Sequence, residues 1–186
     1  ANLVERFGFD RRHEAVRKAR RFLLSFQTRA GDIRGIYWKQ YSPNYTAGMI
    51  ELLTKAGYPR DPRVRKSQSW LMAMRQDDGG WVIPVRTTDS KLADWMACDT
   101  IEPDRSKPFS YMATGVVLRA FAYNPEYRDN RELRAAAELV LSRLFKRDNY
   151  PDRGTPEFWI KFTFPFQYTD LVAVLLDEGV HRSTPL

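Results

Sequence analysis

The chain predicts an all-α fold of three helical hairpins, on three observations. Trp70-Leu71-Met72-Ala73-Met74 reads as the end of a helix and runs into the glycine turn Asp77-Asp78-Gly79-Gly80-Trp81. A second copy of that pattern begins at Phe22-Leu23-Leu24-Ser25-Phe26-Gln27. Charged helical segments alternate with nearly uncharged ones. Internal repetition of this kind is the signature of stacked helical units.

The charged segments span about 11–27, 62–75 and 129–146 and carry clusters such as Arg17, Lys18, Arg20 and Arg21. The uncharged segments span about 43–56, 108–123 and 165–178, with Arg119 the lone charge between Phe109 and Tyr123. Pro43, Pro108 and Pro165 suit first helical turns, where the missing N–H has no intrahelical role. Gly57 and Gly179 suit the position just past a helix end. A helix that is apolar on most faces is buried, so the uncharged set is expected inside and the charged set outside. Each charged helix is grouped with the uncharged helix that follows it. The arrangement expected is an arc, or part of an α/α toroid, in a single domain over 1–186.

In the turn itself, glycine accepts positive φ without a Cβ clash, and Asp77 and Asp78 favour the turn by bonding nearby amides. Trp81 is expected to bury its ring against its own hairpin, with Arg75 stacked on it as a cation–π pair. In the first copy Gln27 aligns with Arg75 and Gly31 with Gly79, while Ala30, Asp32 and Ile33 replace the Asp, the second Gly and the Trp. A more worn third copy runs from Leu139 to Lys146, with Trp159 as a late aromatic.

These residues resemble the repeat signature of the squalene cyclase and protein prenyltransferase β-subunit superfamily: aromatic-Leu, a Gln, then Asp-Gly-Gly-Trp. Gln27 matches the Gln, and Asp78, Gly79, Gly80 and Trp81 match the rest; Arg75 stands where the family has Gln. The resemblance implies inner and outer helical rings and a ligand in the central cavity, near the ends of the inner helices. The ligand-binding residues expected from it are Tyr45, Tyr111, Tyr168 and Trp95, with Thr46 beside them, and packing in the core is the other reading of each tyrosine.

The connection from Val82 to Lys107 is long for two helices, and such loops often carry function. Asp99-Thr100-Ile101-Glu102 lies in it and faintly resembles the acidic segment of oxidosqualene cyclases, with Cys98 and Asp99 in reversed order. Asp99 and Glu102 are the catalytic candidates, and a solvated acidic loop is the alternative. The family's Asp-x-Asp-Asp motif is absent from the sequence. Zinc is not expected, because catalytic zinc needs about three protein ligands and the only histidines are His13 and His181. No cofactor is expected.

Composition bounds the rest. The 186 residues are 43% hydrophobic and 13% aromatic, enough for a core. Mean hydropathy is −0.53, and no apolar run suits a membrane span. Net charge is +7, but the arginines are spread among acids on the outer segments, which does not predict nucleic-acid binding. A lone cysteine, Cys98, and a charged N-terminal stretch fit a cytoplasmic setting. Residues 179–186 resemble Gly57–Val64, which leads into the next charged helix, so a longer parent chain or a homo-oligomer is expected to cover the open ends. Three functions stay open: a module binding an apolar, isoprenoid-like molecule or a protein segment on its concave face without catalysis; a terpenoid cyclase- or prenyltransferase-like enzyme; or a carbohydrate-active toroid. The last would set Glu51 or Asp170 across a cleft from Asp99 or Glu102.

Overall fold

The computed structural model describes residues 7–35, 39–88 and 98–150, together with Val4 and Asp94. Among them the ordered elements are helical: α1 (Glu14–Ser25), α2 (Pro43–Lys55), α3 (Pro62–Ala73), α4 (Tyr111–Ala122) and α5 (Arg131–Ser142), with single 3-10 turns at Pro84–Thr87 and Pro125–Tyr127. The expected helix over 165–178 lies outside the described residues, as do Trp159, Asp170, Gly179 and His181.

The charged helices α1, α3 and α5 are each 12 residues long. They are capped alike. His13, Asp61 and Asn130 each accept a hydrogen bond from the backbone N–H two residues on, satisfying one of the donors that a helix start leaves free. Helix α2 has Pro43 at its first turn, and it ends in a Schellman motif. Gly57 has φ +94, its N–H bonds the Thr54 carbonyl, and the Tyr58 N–H bonds the Leu53 carbonyl. Helix α4 starts later than its proline suggests. Ser110, not Pro108, precedes its first turn, and the Ser110 hydroxyl accepts from the Ala113 N–H.

Helix α4 is buried on every face from Tyr111 to Leu118, because α2 packs along it and α5 covers it from the other direction. The core gathers Ile50 and Leu53 of α2, Val64, Trp70 and Leu71 of α3, Val116, Val117 and Phe121 of α4, and Leu133, Ala136 and Val140 of α5, closed by Trp81. The arginines and lysines of the charged helices, Arg17, Lys18, Arg21, Arg63, Arg65, Lys66, Arg131 and Arg134, are exposed. Burial therefore follows the division by charge.

The pairing of helices differs from the sequence reading. The most extensive packing is α2 on α4; between chain neighbours the close pairs are α2 with α3 and α4 with α5, whereas α3 touches the α4 that follows it only lightly. The reason is chain length. Residues 56–61 and 123–130 are short connections that force neighbouring helices together, while the connections over 26–42 and 74–110 are long enough to let the next helix pack elsewhere. Each uncharged helix thus receives the charged helix after it. Two buried amides fasten α3 to the end of α4: Asn124 Nδ2 donates to Gln68 Oε1 at 3.1 Å, and Gln68 Nε2 reaches the Ala120 carbonyl at 3.4 Å.

Candidate functional site

The glycine turn that dominates the sequence is a structural device, built twice with the same bonds. Gln27 Nε2 donates to the Gly31 carbonyl at 3.3 Å, and Arg75 Nε donates to the Gly79 carbonyl at 3.1 Å. The Thr28 N–H reaches the Asp32 carbonyl as the Gln76 N–H reaches that of Gly80, both at 2.9 Å. Gly31 and Gly79 both hold positive φ, +117 and +97. The turn then latches onto the next uncharged helix. Thr46 Oγ1 accepts from the Ile33 N–H at 2.9 Å and donates to the Ile33 carbonyl at 3.0 Å. Thr114 Oγ1 treats Trp81 the same way, at 2.9 and 3.2 Å. Arginine thus replaces the clasping Gln without loss of the clasp. It also lies over the Trp81 ring, 5.9 Å from its centroid.

Trp81 is fully buried, and its Nε1–H donates to the Leu71 carbonyl at 2.7 Å. Asp78 closes the turn by accepting from the Gly80 and Phe109 N–H groups at 3.1 and 2.8 Å. The two glycines serve different needs. Gly79 supplies positive φ. Gly80 has no positive φ, but a Cβ there would collide with the Phe109 side chain and stand 3.0 Å from Thr114 Oγ1.

Of the ligand-binding candidates, Tyr45 is partly buried with its ring against Gly35, where a Cβ would meet Tyr45 Cγ at 2.7 Å. Tyr111 is buried in the core, and burial, with the nearby Asp148 carboxylate adding to it, pushes its hydroxyl up to about 12. Trp95 and Tyr168 lie outside the described residues. Asp99 and Glu102 are exposed. Their segment is docked on the chain before α2: Gln40 Nε2 donates to the Asp99 carbonyl at 3.0 Å, Gln40 Oε1 accepts from the Ile101 N–H at 2.8 Å, and Tyr41 Oη donates to Glu102 Oε1 at 3.2 Å. The Asp99 side chain is not part of that docking.

The buried carboxylates have partners. Glu51 lies between Lys55 Nζ at 2.6 Å and Arg119 Nε at 3.3 Å, bridging α2 to α4. Asp32 holds Arg34 Nε at 2.9 Å and the Thr28 hydroxyl. Asp148, which the sequence reading passed over, is buried at the start of α4, where it accepts from Ser110 Oγ at 2.8 Å and the Met112 N–H at 3.3 Å. Burial raises its pKa, and those hydrogen bonds oppose the rise. The signal available for the missed latches was the Ser-x-x-x-Thr spacing shared by Ser42/Thr46 and Ser110/Thr114. Nothing in sequence spacing links Asp148 to Ser110. His13 caps α1 and stacks on Phe9 with ring centroids 4.3 Å apart.

A cleft of about 590 Å³ opens at the other end of the helices, past the C-termini of α2 and α4. Its walls are the loops Gly57–Pro62 and Asn124–Glu126, with Arg11 at one side. Arg20 fixes the first wall, its guanidinium 4.9 Å from the Tyr58 ring centroid and bonded to Asp61 at 2.7 Å. Glu126 pairs with Arg65. Arg11 and Arg60 have no carboxylate partner among the described residues.

No helix of the described residues is long and apolar enough to cross a membrane. No family model matches the chain, and no curated protein matches it.

Proposed function

We propose that this chain is a binding module of the squalene cyclase and prenyltransferase β-subunit repeat type, without catalysis of its own, and that it holds an extended acidic protein segment in the cleft between its two inter-helix loops. The observation that carries the reading is the cleft's chemistry. Tyr58, Pro59, Pro62 and Pro125 offer rigid apolar surface, and Arg11 and Arg60 stand beside it with no ion pair among the described residues. Grooves lined by aromatic and proline side chains suit an extended chain that has little entropy left to lose. The two guanidiniums select carboxylates in register with it. The buried carboxylates support a non-catalytic role, since each is spent on a cation or a helix start. The packing of Tyr111 and its neighbours within the core supports a filled interior over a hollow one that takes an isoprenoid.

The test is an amide chemical-shift titration with a synthetic peptide of alternating Glu and Pro. Shifts should gather on 57–62 and 124–126, weaken with added salt, and vanish in the Arg11→Glu/Arg60→Glu variant. Shifts gathered instead around Tyr45 and Gly35, or stoichiometric isoprenoid lipid extracted from the purified protein, would overturn it in favour of an apolar ligand at the opposite end.

A further inference from the structure

The three charged helices superpose in sequence register through their caps, and this exposes a contrast. Ala19 of α1, Ser67 of α3 and Ala136 of α5 hold the same place; Ser67 and Ala136 are fully buried, and Ala19 is exposed. Phe22 and Phe26 hold the places of Trp70 and Met74. The latter are 8% and 7% exposed, whereas Phe22 is 64% exposed and Phe26 59%. Ala15, Ala19, Phe22 and Phe26 fall on one helical face. The two phenylalanines already pack edge to face, with centroids 5.0 Å apart.

What covers the equivalent face of α3 and α5 is visible. It is the glycine turn of the preceding unit, joined on α3 by the Tyr41 ring, whose centroid lies 5.9 Å from that of Trp70. Gln27 Nε2 of the first turn donates to the Arg63 carbonyl and to Ser67 Oγ, both at 2.7 Å. Gly31 lies so close to α3 that a Cβ would stand 2.8 Å from the Lys66 carbonyl oxygen. The second turn covers α5 in the same way: Arg75 Nη1 pairs with Glu132 at 3.0 Å, and Gly79 lies beside Leu139. The contact of a turn with the next charged helix therefore occurs twice.

Each half of a third such contact is present and unoccupied by its counterpart among the described residues. One half is the α1 face. The other is the third turn, after α5, where Arg143, one position ahead of the place that Gln27 and Arg75 hold, bonds the Arg147 carbonyl four residues on. That turn exposes apolar surface. Phe145 is 54% exposed and is the one non-glycine among the described residues with positive φ, +58. Leu141 is exposed beside it. A bulky residue in the left-handed region is strained, and here the strain presents an aromatic ring to water. Where the second contact has the ion pair Arg75–Glu132, the third register has Leu144 and Ala15, so the two halves match as apolar surfaces.

We propose that this chain self-associates head to tail, the α1 face of one copy (Ala15, Ala19, Phe22, Phe26) seating on the third turn (Leu141, Phe145) of a second copy. The contact continues between molecules the packing that already joins unit to unit within one. It is heterologous, so a joined pair retains one free face of each kind and further copies can add. A symmetric α1-to-α1 contact is disfavoured by Arg17, Lys18 and Arg21 on the same helix, which would bring like charges together.

The experiment is sedimentation equilibrium on the full chain and two variants, Phe22→Asp/Phe26→Asp and Phe145→Asp. The parent should associate beyond a dimer as concentration rises. Each variant alone should remain a monomer, and an equimolar mixture of the two should form a one-to-one complex and nothing larger, since only one interface survives. Ala19→Glu, at an exposed position, repeats the first variant without touching any packed ring. A parent that stays monomeric at its highest soluble concentration would overturn the proposal. So would a Phe145→Asp protein that associates like the parent, which would mark a symmetric α1 contact or a different partner.

Discussion

Replacing Thr114 by Val tests whether the latch between glycine turn and helix holds the units together. The side chain keeps its shape and loses its hydroxyl. Thr114 is fully buried, so the Trp81 N–H that it accepts from at 2.9 Å would have no partner and no water. The Trp81 carbonyl would not be stranded, because it also accepts from the Ser110 N–H at 2.9 Å. One orphaned buried donor costs about 1–3 kcal/mol, which for a chain of this size lowers the melting temperature by roughly 2–4 °C per kcal/mol. Thr46→Val removes both the Ile33 N–H and C=O partners of the first latch, so its cost should be at least as large. Thr114→Ser keeps the hydroxyl and serves as the control. Urea unfolding followed by circular dichroism measures all three, with an unchanged m-value showing that the native and denatured states are otherwise alike. If both valine variants lie within about 0.5 kcal/mol of the parent, as surface substitutions do, the latches contribute nothing and the repeat is held by apolar packing alone.

Three further outcomes are expected. Trp81→Ala should cost about 3–5 kcal/mol in the same assay, as large aromatic truncations in cores do; a parent-like stability would remove Trp81 from the core. Arg75→Gln should cost less than about 1 kcal/mol, because Gln27 already shows that Gln makes the clasp and the Glu132 partner that is lost is exposed; a larger loss would make that ion pair a principal fastening. Asp148→Asn should gain on the parent in melting temperature as the pH rises from acid to neutral, on top of a fixed cost for the acceptor that its amide takes from the Met112 or Tyr150 N–H. The sign follows from the raised pKa of Asp148 in the fold: ionisation is easier in the unfolded chain, so the parent loses stability as pH rises from the ordinary carboxylate value, 3.8, through the raised one. A gap independent of pH would show that the carboxylate is not penalised by burial.

Much of the local structure was legible in the residues themselves. Ends of helices are written in short-range chemistry: Pro43 at a first turn, Gly57 and Gly79 where the backbone must take positive φ, and a charged face for each helix that meets water. The alignment of Gln27 with Arg75 was legible too, because both side chains reach a carbonyl four residues on, a local contact. What a side chain meets across the fold was not. Whether Tyr111 lines a cavity or packs in the core depends on α2 and α5, which sit far from it along the chain. The pairing of α2 with α3 followed from loop length once the helix bounds were known, yet composition had grouped each charged helix with the one after it. The burial of Trp70 and the exposure of Phe22, at equivalent places in stretches of the same pattern, mark the limit most plainly: the residues specify an apolar helix face, and only the packing of a neighbouring segment decides whether that face is interior or surface.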